Sequence, residues 1–307
     1  MFSQYFGHYL LNKGLLTREQ LAAALEHQKS VHVKFGVIAV DEGLLSPDQI
    51  EKIHDRQRQV DQRFGEIAVD LGFLTSEQVE SMLSVQKQDH LLLAQAIVDK
   101  GYMTIEQFSS ALYDYKREYS LSDDKFEEIK RGNIDELVTS VLEGKNPDKV
   151  QKYGKYLSLF AKNMIRFIDD QVYVDVIKHP VDNSPNWVVH QEIKGEAPLF
   201  TAISASKDVF LYIASIYAEE ELLEVDELAQ ASVSEFLNLH NGIYLVNMSN
   251  EGLELNMNPQ EVLQNAKTEG DLFIVNIHTA KGAFQLILSE KPSAVIVKKS
   301  EDSQQLV

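Results

Sequence analysis

The sequence contains no cysteine in 307 residues. Disulfides, thiolate zinc sites, iron–sulfur clusters and cysteine nucleophiles are therefore excluded, and the absence fits a reducing compartment without proving one. Basic residues are scarce: 29 Lys and Arg stand against 47 Asp and Glu, giving a formal net charge of −18. A field of that sign repels phosphate backbones and anionic lipid, so neither nucleic acid nor a membrane is an expected partner, whereas a basic protein surface is. No run of about 18 uncharged apolar residues is available to span a bilayer. The N-terminus shows no basic segment followed by an apolar core and cleavage site, so a soluble, cytoplasmic chain is expected. Phosphate-binding glycine loops, nucleophile elbows and dinucleotide fingerprints are missing, and the nine His residues show no metal-ligand spacing. What remains, 44% hydrophobic and 25% charged residues, is the composition of a folded protein. Its length suggests two or three domains.

The strongest positive signal is a period. Gly14, Gly43, Gly72 and Gly101 recur every 29 residues, as do Phe6, Phe35, Phe64 and Leu93. Gln28, Gln57 and Gln86 close three of the copies, with Tyr115 in the fourth. After each glycine comes Thr17, Ser46, Thr75 or Thr104, and three residues later Gln20, Gln49, Gln78 or Gln107. This pairing is a capping box, in which hydroxyl and Gln satisfy the backbone N–H groups orphaned where a helix begins. Leu16, Leu45, Leu74 and Met103 precede the caps and Leu21, Ile50, Val79 and Phe108 follow four residues later, completing a hydrophobic staple. Each copy should be a short helix, a glycine break and a longer amphipathic helix. Since one copy cannot bury its own apolar stripe, the four should pack as one all-α domain over residues 1–117.

These copies resemble the tandem motif of MshEN-type domains, found at the front of type II secretion and pilus ATPases. The match is best from Arg63-Phe64-Gly65 to Gln86, and a second copy runs from Lys34-Phe35-Gly36 to Gln57. Members of that family bind cyclic di-GMP, so the resemblance implies a nucleotide site at Lys34, Gln57, Arg63 and Gln86. The alternative is a helical packing or docking module whose Gly and Phe residues serve only the core.

Residues 118–148 read as a helical connector with a stripe of Phe126, Ile129, Ile134, Leu137, Val138 and Leu142. Six of the seven prolines lie from Pro147 onward, which marks a change of texture and a domain boundary. Helices are predicted from Tyr156 to Ile168, from Ser206 to about Tyr217 and from Asp226 to about Asn241. Alternation predicts strands at Val172–Ile177, Phe273–His278 and Phe284–Leu288, the last two forming a hairpin. Tyr244–Met248 and Leu253–Met257 flank the turn Asn250-Glu-Gly252 as a second expected hairpin. The whole is therefore α+β, with an antiparallel sheet covered by helices behind the all-α front domain.

On the Asp226–Asn241 helix, at roughly 100° per residue, Ala229, Val233, Phe236, Leu237 and His240 fall on one side, which should be buried. Nearly opposite lie Ala231, Glu235, Asn238 and Gly242, within about 60° of one another. A carboxylate and a carboxamide thus project together, flanked by two residues with almost no side chain. Small neighbours would let another protein's surface approach closely.

Glu235-Phe-Leu-Asn238-Leu-His-Asn-Gly242, followed by Asn256-Met-Asn-Pro259, resembles the signature of the CheC/CheX/FliY phosphatase family. Gly195, the strand through Phe200 to Ile203 and the helix after Ser206 fall in that family's order. Only one Glu-x-x-Asn is present, because the Tyr156–Ile168 helix offers Asn163 without a paired Glu; the arrangement is CheX-like. The resemblance implies hydrolysis of the aspartyl phosphate of a CheY-type response regulator in chemotaxis or two-component signalling. Asn238 would orient the hydrolytic water, Glu235 would dock on a receiver lysine, and Ala231 and Gly242 would admit the partner. No cofactor or metal of the chain's own is implied, since Mg²⁺ comes with the phosphorylated receiver. A homodimer is a further implication. The expected layout is residues 1–117 repeat module, 118–148 connector, 149–292 CheX-like domain and 293–307 C-terminal tail. Alternative functions are a non-catalytic receiver-binding adapter and a cyclic di-GMP-responsive signalling protein.

Overall fold

A computed structural model describes residues 2–145, 147–169, 171–176 and 186–299. The chain divides into two compact units, residues 1–137 and 138–307. The first is all helical: α1 (Phe2–Asn12), α2 (Arg18–Gln28), α3 (Phe35–Asp41), α4 (Pro47–Gln57), α5 (Phe64–Asp70), α6 (Ser76–Val85), α7 (Asp89–Asp99), α8 (Ile105–Glu118) and α9 (Asp123–Lys130). All four capping boxes form at the starts of α2, α4, α6 and α8. Gly14, Gly43, Gly72 and Gly101 hold φ between +65° and +70°, the left-handed region that closes the helix before each cap.

The copies pack by exchanging helices with one another. Helix α1 packs on α8 and α7 on α2, while α3 packs on α6, α7 and α8, and α5 on α4. The expected short first helix holds in the second and third copies, whereas α1 and α7, at 11 residues each, are as long as α2 and α4. The closing glutamines serve this exchange. Gln28 Nε2 donates to Asp89 O (3.3 Å), Gln57 Nε2 to Gln62 O (3.4 Å) and Gln86 Nε2 to Val33 O (2.5 Å). Each thereby ties down the start of another copy's first helix. Phe6 meets Phe108 edge-on at 5.1 Å, sealing the first copy against the fourth. Asp41, His90 and Lys130 form a buried polar cluster, with the Asp41 carboxylate 3.0 Å from His90 Nε2 and 3.6 Å from Lys130 Nζ. Burial opposes the Asp41 charge, but the His90 hydrogen bond and the Lys130 ammonium outweigh it and hold that carboxyl below its usual value.

Helix α10 (Ile134–Lys145) carries the unit boundary, and α11 (Pro147–Phe167) opens with a proline where a missing N–H costs nothing. Then come β1 (Tyr173–Asp175), β2 (Asn186–Gly195), β3 (Leu199–Ala205), α12 (Lys207–Ala218), α13 (Glu227–Asn250), β4 (Leu255–Met257), β5 (Glu261–Glu269), β6 (Phe273–Thr279), β7 (Gly282–Ser289) and β8 (Ile296–Lys299). The strands pair antiparallel in the order β1-β6-β7-β3-β2-β5-β8, with β4 also on β2. The α+β class and the β6–β7 hairpin are as the sequence predicts; Ile177 of the first expected strand lies outside the described residues.

Three expectations are corrected. Tyr244–Met248 is not a strand but the last two turns of α13, because Tyr244 packs edge-on against Tyr156 at 5.1 Å. That contact prolongs the buried stripe of the helix, and packing overrides the alternating pattern. Gly252 (φ +88°) accordingly ends a helix instead of turning a hairpin, with Leu253 N donating to Met248 O (3.0 Å). The strand β4 pairs with β2, not with residues 244–248. The segment read as a tail from 293 holds β8, paired to β5, while residues 300–307 lie outside the described set.

Alternation assigns the sheet's two faces. Val188, Phe200, Ala202, Ala266 and Ile287 cluster on one; Gln191 and Thr201, at the opposite parity of β2 and β3, face α13. On that side Phe160 of α11 touches Phe236 and His240 of α13 and Phe284 of β7. Asn163 Nδ2 donates to His240 Nδ1 (3.0 Å), so this Asn is consumed in the core.

Burial pushes His240 down to about 3. Unfolded, it would take a proton near pH 6.5; folded, it refuses one until about pH 3, so stability falls as pH drops through that window and is untouched above it. At pH 5 the penalty is about 2 kcal/mol. His240→Gln, which keeps an acceptor for Asn163, should shrink the stability lost between pH 7.5 and 5 by about that amount, read from urea midpoints. An unchanged loss would show that His240 does not titrate on unfolding.

Candidate functional site

Asp226 caps α13 by accepting from Ala229 N (2.9 Å), and α12 packs alongside it, with Tyr217 against Phe236 at 5.8 Å. This fixes which side of α13 is buried. Ala229, Val233, Phe236, Leu237 and His240 are fully enclosed. On the other side Ala231 and Glu235 are exposed, and Asn238 and Gly242 are half-buried. Leu228 and Val246, 46% and 60% exposed, stand on the same ridge at either end of the four. The exposed acidic residues Glu219, Glu220, Glu221, Glu224 and Glu227 crowd the start of the helix.

Glu235 and Asn238 do not merely share a face. Asn238 Nδ2 donates to Glu235 Oε2 at 3.3 Å. Tyr217 stands close by, its hydroxyl pushed above its usual value by burial and then by the Glu235 carboxylate. Gly242 is not demanded by internal packing, since an added Cβ would meet only Met257 Cε at 3.9 Å. Mid-helix, Gly costs about 1 kcal/mol relative to Ala. The fold gives no steric reason for that cost, and the effect is a lowered surface beside Asn238. At the far end of β2, by contrast, an added Cβ on Gly195 would collide with Glu254 O at 2.3 Å, so its glycine is structural.

Behind Asn238 runs a buried chain of side chains that sequence reasoning missed. Gln191 Nε2 donates to Asn238 Oδ1 (3.0 Å) and to Asn258 O (2.8 Å). Asn241 Nδ2 donates to Gln191 Oε1 (2.8 Å) and to Thr201 Oγ1 (2.9 Å), while Tyr156 donates to Asn241 Oδ1 (2.7 Å). Thr201 in turn donates to Gln191 O (2.9 Å). Gln191, Thr201, Asn241 and Tyr156 are enclosed, and burial pushes the Tyr156 hydroxyl far up, so it stays protonated and donating. The available signal was polarity in the wrong place: Gln191 and Thr201 occupy inward strand positions and Asn241 the buried stripe of a helix, where apolar residues are the rule. Tyr156→Phe should orphan Asn241 Oδ1 and lower stability by about 1–3 kcal/mol in urea unfolding. No loss would mean the hydroxyl adds nothing to the network.

The other expected site lies in the front unit. A cavity of about 510 Å³ is lined by Phe35, Ile50, His54 and Phe64 together with Lys34, Gln57 and Gln86. It gathers three of the four residues the sequence singled out; Arg63 does not line it. All three are also engaged within the fold: Lys34 Nζ with Asp99 Oδ1 (2.9 Å), and Gln57 and Gln86 with the backbone carbonyls named above. Among the described residues no group of three or more His, Asp or Glu side chains could hold a metal ion, and no helix is long and apolar enough to cross a membrane.

No family model matches the chain, and no curated protein does. Solved structures do. A chemotaxis protein CheX from Desulfovibrio desulfuricans is 12% identical, with 45% of this chain and 97% of that one covered at a TM-score of 0.36. A chemotactic CheC-like protein from Shewanella oneidensis is 15% identical, covering 47% and 97% at 0.38. The CheX–CheY–BeF₃–Mg²⁺ complex from Borrelia burgdorferi is 12% identical, covering 47% and 95% at 0.36. TM-scores this low carry no conclusion about activity.

Proposed function

We propose that the second unit hydrolyses the aspartyl phosphate of a CheY-type receiver domain in chemotaxis or two-component signalling. The observation that carries this reading is the outward Glu235–Asn238 pair, joined at 3.3 Å on an open helix ridge and held from behind by buried amides. An acyl phosphate is already activated, so the helper need only hold the partner and place a water in line with the scissile bond. The Glu235 carboxylate pairs with a receiver ammonium, a charge-assisted contact that fixes register. The Asn238 carboxamide holds the water without needing a shifted pKa. Ala231 and Gly242 keep the ridge low, and Leu228 and Val246 supply apolar contacts at its ends. The receiver's own Mg²⁺ offsets the phosphoryl charge, so this chain contributes no ligand to it.

Phosphate release from a phosphorylated receiver, with catalytic amounts of this protein, tests the reading. Asn238→Ala should lower turnover on the order of 100-fold. Glu235→Ala should raise KM about tenfold or more, the worth of a lost charge-assisted bond. Tight binding without turnover, indifferent to Asn238, would make the chain a receiver-binding adapter instead.

For the front unit we propose a nucleotide-responsive role at the cavity that gathers Lys34, Gln57 and Gln86. Calorimetric titration with cyclic di-GMP should give binding heat that Lys34→Ala and Gln86→Ala diminish. An absence of heat would leave the cavity a feature of packing.

A further inference from the structure

We infer that Gln191 is a positioning residue that turns Asn238 so that its N–H edge, and not its carbonyl, meets the docked partner. This rests on the phosphatase reading and specifies the chemistry of its central contact. The inference follows from which groups can only donate and which can only accept.

A backbone carbonyl can only accept. Because Gln191 faces Asn258 O at 2.8 Å, the edge it turns there must be its NH₂. The second proton of that NH₂ then points at Asn238 across 3.0 Å, and the Asn238 atom receiving it must be the acceptor Oδ1. A second carbonyl locks the same polarity from the other end. Thr201 spends its one proton on Gln191 O, so toward Asn241 it can only accept. Asn241 therefore turns its NH₂ to Thr201 and to Gln191 Oε1, and its carbonyl to the Tyr156 hydroxyl. Outside, Glu235 repeats the instruction, because an ionised carboxylate accepts only and requires Nδ2 to face it.

Flipping Asn238 alone would set two NH₂ groups against each other on the inner side and two acceptors against each other on the outer side. Each is a lost hydrogen bond turned into a like-pole contact, the inner one beside a buried group. The carboxamide is thus held in one of its two orientations before any partner arrives. With Oδ1 turned inward to Gln191 and one N–H given to Glu235, the second N–H is the donor left for a partner. Such a group binds an acceptor: a non-bridging phosphoryl oxygen or a lone pair of the attacking water. It cannot draw a proton from that water.

Asn238→Asp separates the two orientations, since it keeps an acceptor and removes the donor at nearly constant shape. It should lose turnover as fully as Asn238→Ala, about 100-fold. Retention of half or more of the activity would overturn the inference and leave the phosphatase reading standing. Gln191→Leu should lower kcat about tenfold or more with KM changed less than about twofold, the split expected of misplacement; a rise in KM alone would count against it. Hydrogen exchange of the Gln191 side-chain amide needs neither activity nor a core substitution. Both protons should exchange slowly in the unmutated chain, and Asn238→Ala should speed one of them at least tenfold. Equal exchange in the two proteins would overturn the inference even if no receiver proves to be a substrate.

Discussion

The second unit is organised around the hydrogen bond between Gln191 and Asn238. A strand deep in the sheet and an outward helical side chain are joined there across the face where α13 lies on β2. Amides buried without partners cost about 1–3 kcal/mol each. The unit avoids that cost by spending every donor and acceptor of Gln191 and Asn241 on one another, on Thr201, Tyr156, Asn238 and a backbone carbonyl. Such a network has one low-energy arrangement, in contrast to an apolar interface that can slide. It therefore sets the rotation of α13 on the sheet, and with it the direction in which Glu235 leaves the surface.

The front unit reaches order by another route. Its helices are short, and its stability comes from repetition: identical caps start each long helix, and reciprocal exchange buries stripes that no copy could bury alone. The closing glutamines illustrate a general hazard of reading motifs. Their spacing marks them as significant, and they are, but Gln28, Gln57 and Gln86 each donate to a backbone carbonyl at the entrance to another copy's helix. Periodicity records a recurring physical need without saying whether that need is a ligand's or the fold's.

Much of the architecture was legible because it is local. A hydroxyl three residues before a Gln, a Gly at a fixed step and an apolar stripe on α13 each act through neighbours in sequence, and each took the expected form. The ridge of Ala231, Glu235, Asn238 and Gly242 was visible for the same reason, since helical geometry alone puts those residues on one side. What escaped notice was non-local. Tyr244 continues the helix because Tyr156, 88 positions earlier, lies against it. Gln191 acquires meaning only when β2 passes beneath α13. The sequence shows these as misplaced polar residues and ambiguous alternation, signals that a fold is needed to interpret.

The burial of Asn163 against His240 has a consequence for valency. Asn163, on the long helix α11, is sealed inside with its amide occupied by the His240 ring. On the proposed reading, α13 alone among these two helices would meet the partner. A receiver arriving in tandem would then gain no second hold from α11.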